Sequence, residues 1–162
     1  MPDMNITPAL FVTMAISNWH LQNDRLQSVL RALTDEQLAG HTAPGRNTGT
    51  YLVGHLAAVH DAMLPLLGFR DKLFPSLQEL FVENAEDDNV AYPSPEELRS
   101  NLQEVTTTLR KHFNSLSAEA WFSRHTNMTD EEFVKEPHRN KLNVLLNRTN
   151  HLSYHFGQLA YL

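Results

Sequence analysis

Apolar residues recur every three or four positions along four long stretches of this chain, which is the periodicity of amphipathic helices. No stretch alternates apolar and polar residues in the way that a half-buried strand does. The pattern therefore predicts an all-α protein. The four predicted helices run from about Pro8 to Leu33, from Thr48 or Thr50 to Leu67, from Pro95 to about Leu116, and from Lys141 onward.

Capping residues mark where several of these helices begin. Thr7-Pro8 and Ser94-Pro95 each place a hydroxyl before a proline at the first helical position. The segments 34–37 (Thr-Asp-Glu-Gln) and 129–132 (Thr-Asp-Glu-Glu) have the pattern of a capping box, in which the first and last side chains bind each other's backbone amides. Each of these two boxes predicts a short helix.

The connections between the long helices differ in length. The segment from Gly68 to Pro93 is the least regular, and its apolar residues 77–82 indicate one short helix in a connection that crosses the end of the bundle. Another short helix is expected within residues 117–127. The predicted fold is a single domain over residues 1–162, a four-helix bundle with a longer connection between helices two and three.

Gly54 lies inside the second predicted helix, beside His55. Glycine at such a position lowers helix stability by roughly 1 kcal/mol relative to alanine. We therefore expect a neighbouring element to pack closely against the helix at this point.

Three histidines are candidates for a metal site. His151 and His155 are four residues apart in a predicted helix, so both imidazoles lie on one face and can reach the same ion. His55 is the candidate for a third ligand. Helical spacing alone leaves this third position open, because His60 lies nearer the centre of its apolar stripe. A surface pair or buried hydrogen-bonded histidines would produce the same spacing without any metal.

Composition narrows the chemistry that is available. The chain has no cysteine, which excludes a disulfide framework, a thiolate metal site and a nucleophilic cysteine. Its formal charge of −6, with no basic cluster beyond Arg110-Lys111, argues against nucleic acid as a partner. We find no signal-peptide pattern and no apolar run long enough to span a bilayer, so a soluble cytoplasmic protein is expected.

Two segments together resemble the DinB/YfiT-like family of metal-dependent proteins. One is 47–56, with a histidine early in the second helix, and the other is 151–159, where His-x3-His is followed by Gly-Gln. The resemblance implies a four-helix bundle, commonly a homodimer, that holds Zn2+ or Ni2+ through His55, His151 and His155 with open positions for water. His20 and His60 match no ligand position in this pattern.

The same resemblance implies a function. Some members of the family are transferases or isomerases that use a low-molecular-weight thiol, so we expect a metal-dependent enzyme that joins such a thiol to a small electrophilic substrate. Three histidines with an open position are typical of catalytic zinc sites. The residues that would orient the imidazoles stay unranked among Asn150, Gln158, Tyr154 and Asp24, and no catalytic residue is identified.

Two alternatives to an enzyme remain open at this point. The chain can be a non-enzymatic helical binding or stress-response protein with a structural or vestigial metal site, or a helical protein without metal. An open coordination position facing a pocket favours the enzyme, whereas a site sealed by apolar side chains favours the non-enzymatic protein.

Overall fold

The computed structural model describes residues 7–162, which are helical and contain no strand. None of the helices in this range is long and apolar enough to cross a bilayer. The four long helices are α1 (Pro8–Ala32), α3 (Gly49–Leu66), α5 (Pro95–Phe113) and α8 (Lys141–Leu159). The short ones are α2 (Asp35–Leu38), α4 (Ser76–Gln78), a π-helix (Glu79–Glu83), α6 (Ala118–Trp121) and α7 (Asp130–Lys135).

The predicted all-α fold with four long helices is confirmed, and each cap named above forms. The side chains of Thr7 and Ser94 accept hydrogen bonds from amides in the first turns of α1 and α5. Both reciprocal bonds of a capping box are present at α2 and at α7. Helix α5 ends three residues earlier than predicted, because the amide and hydroxyl of Ser115 both bind the carbonyl of His112.

The four long helices form a ring in which α1 and α3 each pack between α5 and α8. One apolar cluster contains the C-terminal halves of α1 and α8 and the N-terminal halves of α3 and α5, while a second cluster contains the opposite halves. Helices α1 and α8 therefore run in one direction, and α3 and α5 in the other. This arrangement places α8 antiparallel to α3, along the side of the bundle that carries the candidate histidines.

The connection from α3 to α5 runs back along the bundle and does not cross one end, so the sequence-based prediction is wrong. Because α3 and α5 are neighbours and run parallel, the connection must return to the end of the bundle where α3 begins. Within the connection, α4 and the π-helix both pack on α3. Asp61 anchors its first part by accepting hydrogen bonds from the amides of Leu73 and Phe74, each at 2.8 Å. The Tyr51 hydroxyl anchors its last part by donating to the Asn84 carbonyl at 2.6 Å.

Phe81, in the π-helix, packs against Gly54. A Cβ atom added to Gly54 would lie 2.4 Å from two carbons of the Phe81 ring, well inside van der Waals contact. The close approach expected from the glycine is therefore confirmed, and the neighbour is the returning connection.

A single layer of buried polar side chains separates the two apolar clusters. Each long helix contributes to it: Asn23 from α1, His60 and Asp61 from α3, Thr106 from α5 and Thr149 from α8. His60 is 1% exposed, and neither of its ring nitrogens has a hydrogen-bond partner within residues 7–162. Burial lowers the pKa of His60 to about 3, so the folded protein holds this imidazole neutral.

The contact between Gly54 and Phe81 yields a pair of opposite predictions. Gly54→Ala is expected to lower the free energy of unfolding by roughly 1 to 3 kcal/mol, the usual cost of overpacking, because the ring cannot retreat without moving the π-helix. Gly157→Ala is the matched control, since a Cβ there meets nothing within 4 Å. It should raise helix stability by up to about 1 kcal/mol. Urea unfolding of the two variants and the parent protein measures both effects, and equal effects of the two substitutions would contradict the packing argument.

Burial of His60 predicts a dependence of stability on pH. The unfolded chain protonates this histidine near pH 6.5, whereas the folded protein does so only near pH 3, so acidification below about pH 6.5 favours unfolding. At neutral pH, His60→Ala should cost roughly 1 to 3 kcal/mol of stability through lost packing. The difference in free energy of unfolding between the parent protein and His60→Ala should shrink by up to about 1.4 kcal/mol per pH unit between pH 6 and 4, because only the parent has this histidine to protonate on unfolding. Denaturant unfolding of metal-free protein tests this, and a constant difference across the range would be inconsistent with a neutral buried imidazole.

Candidate metal centre

His55, His151 and His155 lie together where α3 faces α8. The Nε2 atom of His151 is 3.1 Å from the Nε2 atom of His55 and 3.1 Å from that of His155. One nitrogen from each ring lies within 4.8 Å of the other two, and all three side chains are half-buried. His20 and His60 are not part of this group.

The Phe81 carbonyl orients His55. It accepts a hydrogen bond at 2.7 Å from the Nδ1 atom of His55. A carbonyl has no proton to donate, so Nδ1 carries the proton and Nε2 presents its lone pair to the other two histidines. The close packing of Phe81 on Gly54 therefore also fixes the tautomer of the adjacent histidine.

Gln158 orients His155 in the same way. Its side-chain oxygen accepts from the Nδ1 atom of His155 at 2.6 Å. Gln158 is thus the one of the four sequence candidates that binds a histidine of this group. Asp24 instead pairs with Arg110, and the ring of Tyr154 packs edge-on against His155 with centroids 5.0 Å apart.

The Phe81 carbonyl was missed in the sequence. It is a backbone group in an irregular connection, and neither its residue type nor its spacing indicates the role. The one available signal was Gly54, which predicted a close neighbour at this point without identifying it.

His151 is the central member of the group. Burial, followed by the neighbouring His155, His55 and Arg148, lowers the pKa of His151 to about 4. Burial also lowers the pKa of His155, against an opposing effect of the Gln158 hydrogen bond. Neutral imidazole is the form that binds metal ions, so the surroundings favour the state that a ligand requires.

The donor set fits a divalent cation. His55 and His155 both direct unprotonated nitrogens at His151, which can donate a proton to only one of them. A cation would satisfy all three Nε2 lone pairs at once, which no arrangement of protons among the three neutral rings does. The buried Nδ1 of His151 has no protein partner in the described range in either tautomer.

A cavity of about 160 Å³ borders the group on its His155 side, and His155 is the member of the group that lines it. Tyr154 and Gln158 of α8 and Arg46 and Asn47 of the loop before α3 also line it. Arg46 and Asn47 separate it from a wider cavity of about 860 Å³, whose other wall is the acidic part of the α3–α5 connection. The centre therefore borders a pocket with polar lining residues on its His155 side.

Comparison with known proteins identifies the fold and the family. The crystal structure of a conserved protein from Enterococcus faecalis is similar, with a TM-score of 0.63, 18% sequence identity and 92% of each chain covered. At this identity the likeness shows the fold alone. A comparison with curated protein sequences found no match. Residues 18–159, which include all three histidines, match the profile of the DinB superfamily, and this chain therefore belongs to that superfamily.

Proposed function

We propose that this protein is a metal-dependent enzyme whose divalent ion is held by His55, His151 and His155. The observation that carries the proposal is the convergence of three Nε2 atoms while the Nδ1 atoms of the two outer rings bind oxygens. Hydrogen bonds from the second ring nitrogen fix tautomer and orientation in metal-binding histidines generally.

Zn2+ or Ni2+ is the proposed ion. Imidazole nitrogen suits both metals, and the chain has no cysteine that would favour softer ones. When bound, such an ion supplies a Lewis acid that lowers the pKa of a water or thiol at an open coordination position.

The proposed reaction joins a low-molecular-weight thiol to a small electrophile. The thiol loses its proton to solvent, the sulfur forms a bond to carbon, and the leaving group departs with the electrons of the bond that breaks. Two findings support this class of reaction: membership of the DinB superfamily and the polar cavity beside His155. An isomerase that uses the thiol catalytically would need the same site.

A non-enzymatic binding or stress-response protein is the alternative. It would be favoured by a centre enclosed in apolar side chains, with no route for a ligand. The half-buried histidines and the adjoining cavity support the enzyme instead.

Metal stoichiometry tests the proposed ligands. Alanine at position 55, 151 or 155 should remove most of the bound metal, because two imidazoles hold a divalent ion more weakly than three. His60→Ala should retain it, since His60 lies outside the group. Elemental analysis of untagged protein gives the answer, with the exposed His138→Ala as a further control. Full occupancy in His55→Ala, or loss in His60→Ala, would contradict the assignment.

We also propose a homodimer, in keeping with the resemblance described above. Helix α1 supports an interface because it exposes large apolar side chains at Leu10, Phe11, Met14 and Leu21. Sedimentation of untagged protein at micromolar concentration should give about twice the 18.5 kDa of one chain. Met14→Glu should shift it toward the monomer, whereas Val134→Glu, at an exposed site on α7, should have no effect. A monomeric parent protein would refute the dimer.

A further inference from the structure

The cavity beside His155 is rich in hydrogen-bond donors, and no carboxylate of the described chain lines it. Arg46 is its single charged side chain, and Asn47, Tyr154 and Gln158 supply amide and hydroxyl groups. The Gln158 oxygen is already used by His155, so the N–H groups of that amide remain for a ligand. Such a wall is suited to an anion.

The backbone around Arg46 is held in place although it lies in a surface loop. The Arg46 amide donates to the Ala43 carbonyl at 3.0 Å, and the Arg46 carbonyl accepts from the His41 ring at 2.6 Å. The Thr42 amide closes the loop by donating to the Asn47 carbonyl at 3.1 Å. The base of the side chain is therefore fixed at the border of the cavity.

The guanidinium of Arg46 forms no ion pair and no hydrogen bond with any group in residues 7–162. Arg99, Arg110, Arg124 and Arg139 pair with carboxylates, whereas Arg46 belongs to the remaining arginines of the described range, which do not. Arg46 also borders the wider acidic cavity, yet none of the carboxylates there lies within ion-pair distance of it. Its guanidinium is therefore available to a ligand in the cavity beside His155.

We propose that this cavity binds a carboxylate of the ligand whose thiol reaches the three-histidine centre, with Arg46 as the residue that selects it. The inference rests on the proposed function and names the class of thiol: a small molecule that carries a carboxylate. Arginine suits the role because its planar guanidinium can donate two parallel hydrogen bonds to the two oxygens.

A binding titration with three thiols of similar length tests the proposal. The probes are 3-mercaptopropionate, neutral 3-mercapto-1-propanol and cationic 3-mercaptopropylamine, added to protein loaded with Co2+ as a spectroscopic substitute. Absorption from sulfur–cobalt bonding reports binding without any assay of activity. The parent protein should bind the carboxylate about tenfold more tightly than the neutral thiol, as expected for a charge-assisted hydrogen bond, and the amine least tightly. Raising ionic strength should reduce this preference.

The variants Arg46→Gln, Arg46→Lys and Arg70→Gln separate the possible causes. Arg46→Gln should bind as much Co2+ as the parent but lose the preference, to within about twofold, while Arg46→Lys should keep part of it. Arg70→Gln makes the same change of charge at an exposed site outside this cavity and should retain the full preference.

Each contrary outcome has a distinct meaning. Suppose that the parent protein and Arg46→Gln both bind Co2+ normally. If the parent then binds the three thiols equally well, or Arg46→Gln still prefers the carboxylate thiol tenfold, the proposed carboxylate site is wrong and the metal centre stands. If the parent binds neither Co2+ nor Zn2+, the proposed function and this inference fail together.

Discussion

The contact between the Phe81 ring and Gly54 is the constraint on which the rest of the centre depends. It brings the π-helix so close to α3 that a backbone carbonyl reaches the ring of His55. The same contact anchors the connection that allows α3 and α5 to lie side by side and parallel. The absence of a side chain at Gly54 thus allows the connection to follow its path and allows the Phe81 carbonyl to fix the tautomer of His55. The loss of helix propensity at Gly54 is the cost of this arrangement.

The sequence was a good guide to those parts of the fold that are decided locally. Apolar periodicity and caps such as Thr34 and Thr129 predicted the helices closely, because each depends on residues within one or two turns. The path from α3 to α5 was predicted wrongly. That path follows from long-range contacts, such as the Asp61 carboxylate binding two amides of the connection, which no local pattern encodes.

Part of the candidate centre could likewise be predicted from local sequence, and part could not. The pair His151 and His155 follows from helical spacing alone, whereas spacing favoured His60 over His55 as the buried histidine. Burial was in fact assigned correctly by the periodicity, since His60 is the fully buried one. A metal ligand must face the other ligands, and it need not be fully buried. His55 meets this requirement because it lies on the half-buried edge of α3 that faces α8. Helical periodicity measures distance from solvent and contains no information about which edges of two helices face each other.

His55 and His151 are separated by 96 positions in the chain but have ring nitrogens 3.1 Å apart. Such a contact is non-local, because it requires α3 and α8 to be docked. An ion that needs both helices binds the native chain far better than the unfolded one and stabilises it by mass action. If the proposed ion binds, it therefore contributes to the stability of the folded protein as well as to any chemistry at the centre. Removal of the ion would then lower the protein's resistance to unfolding and proteolysis.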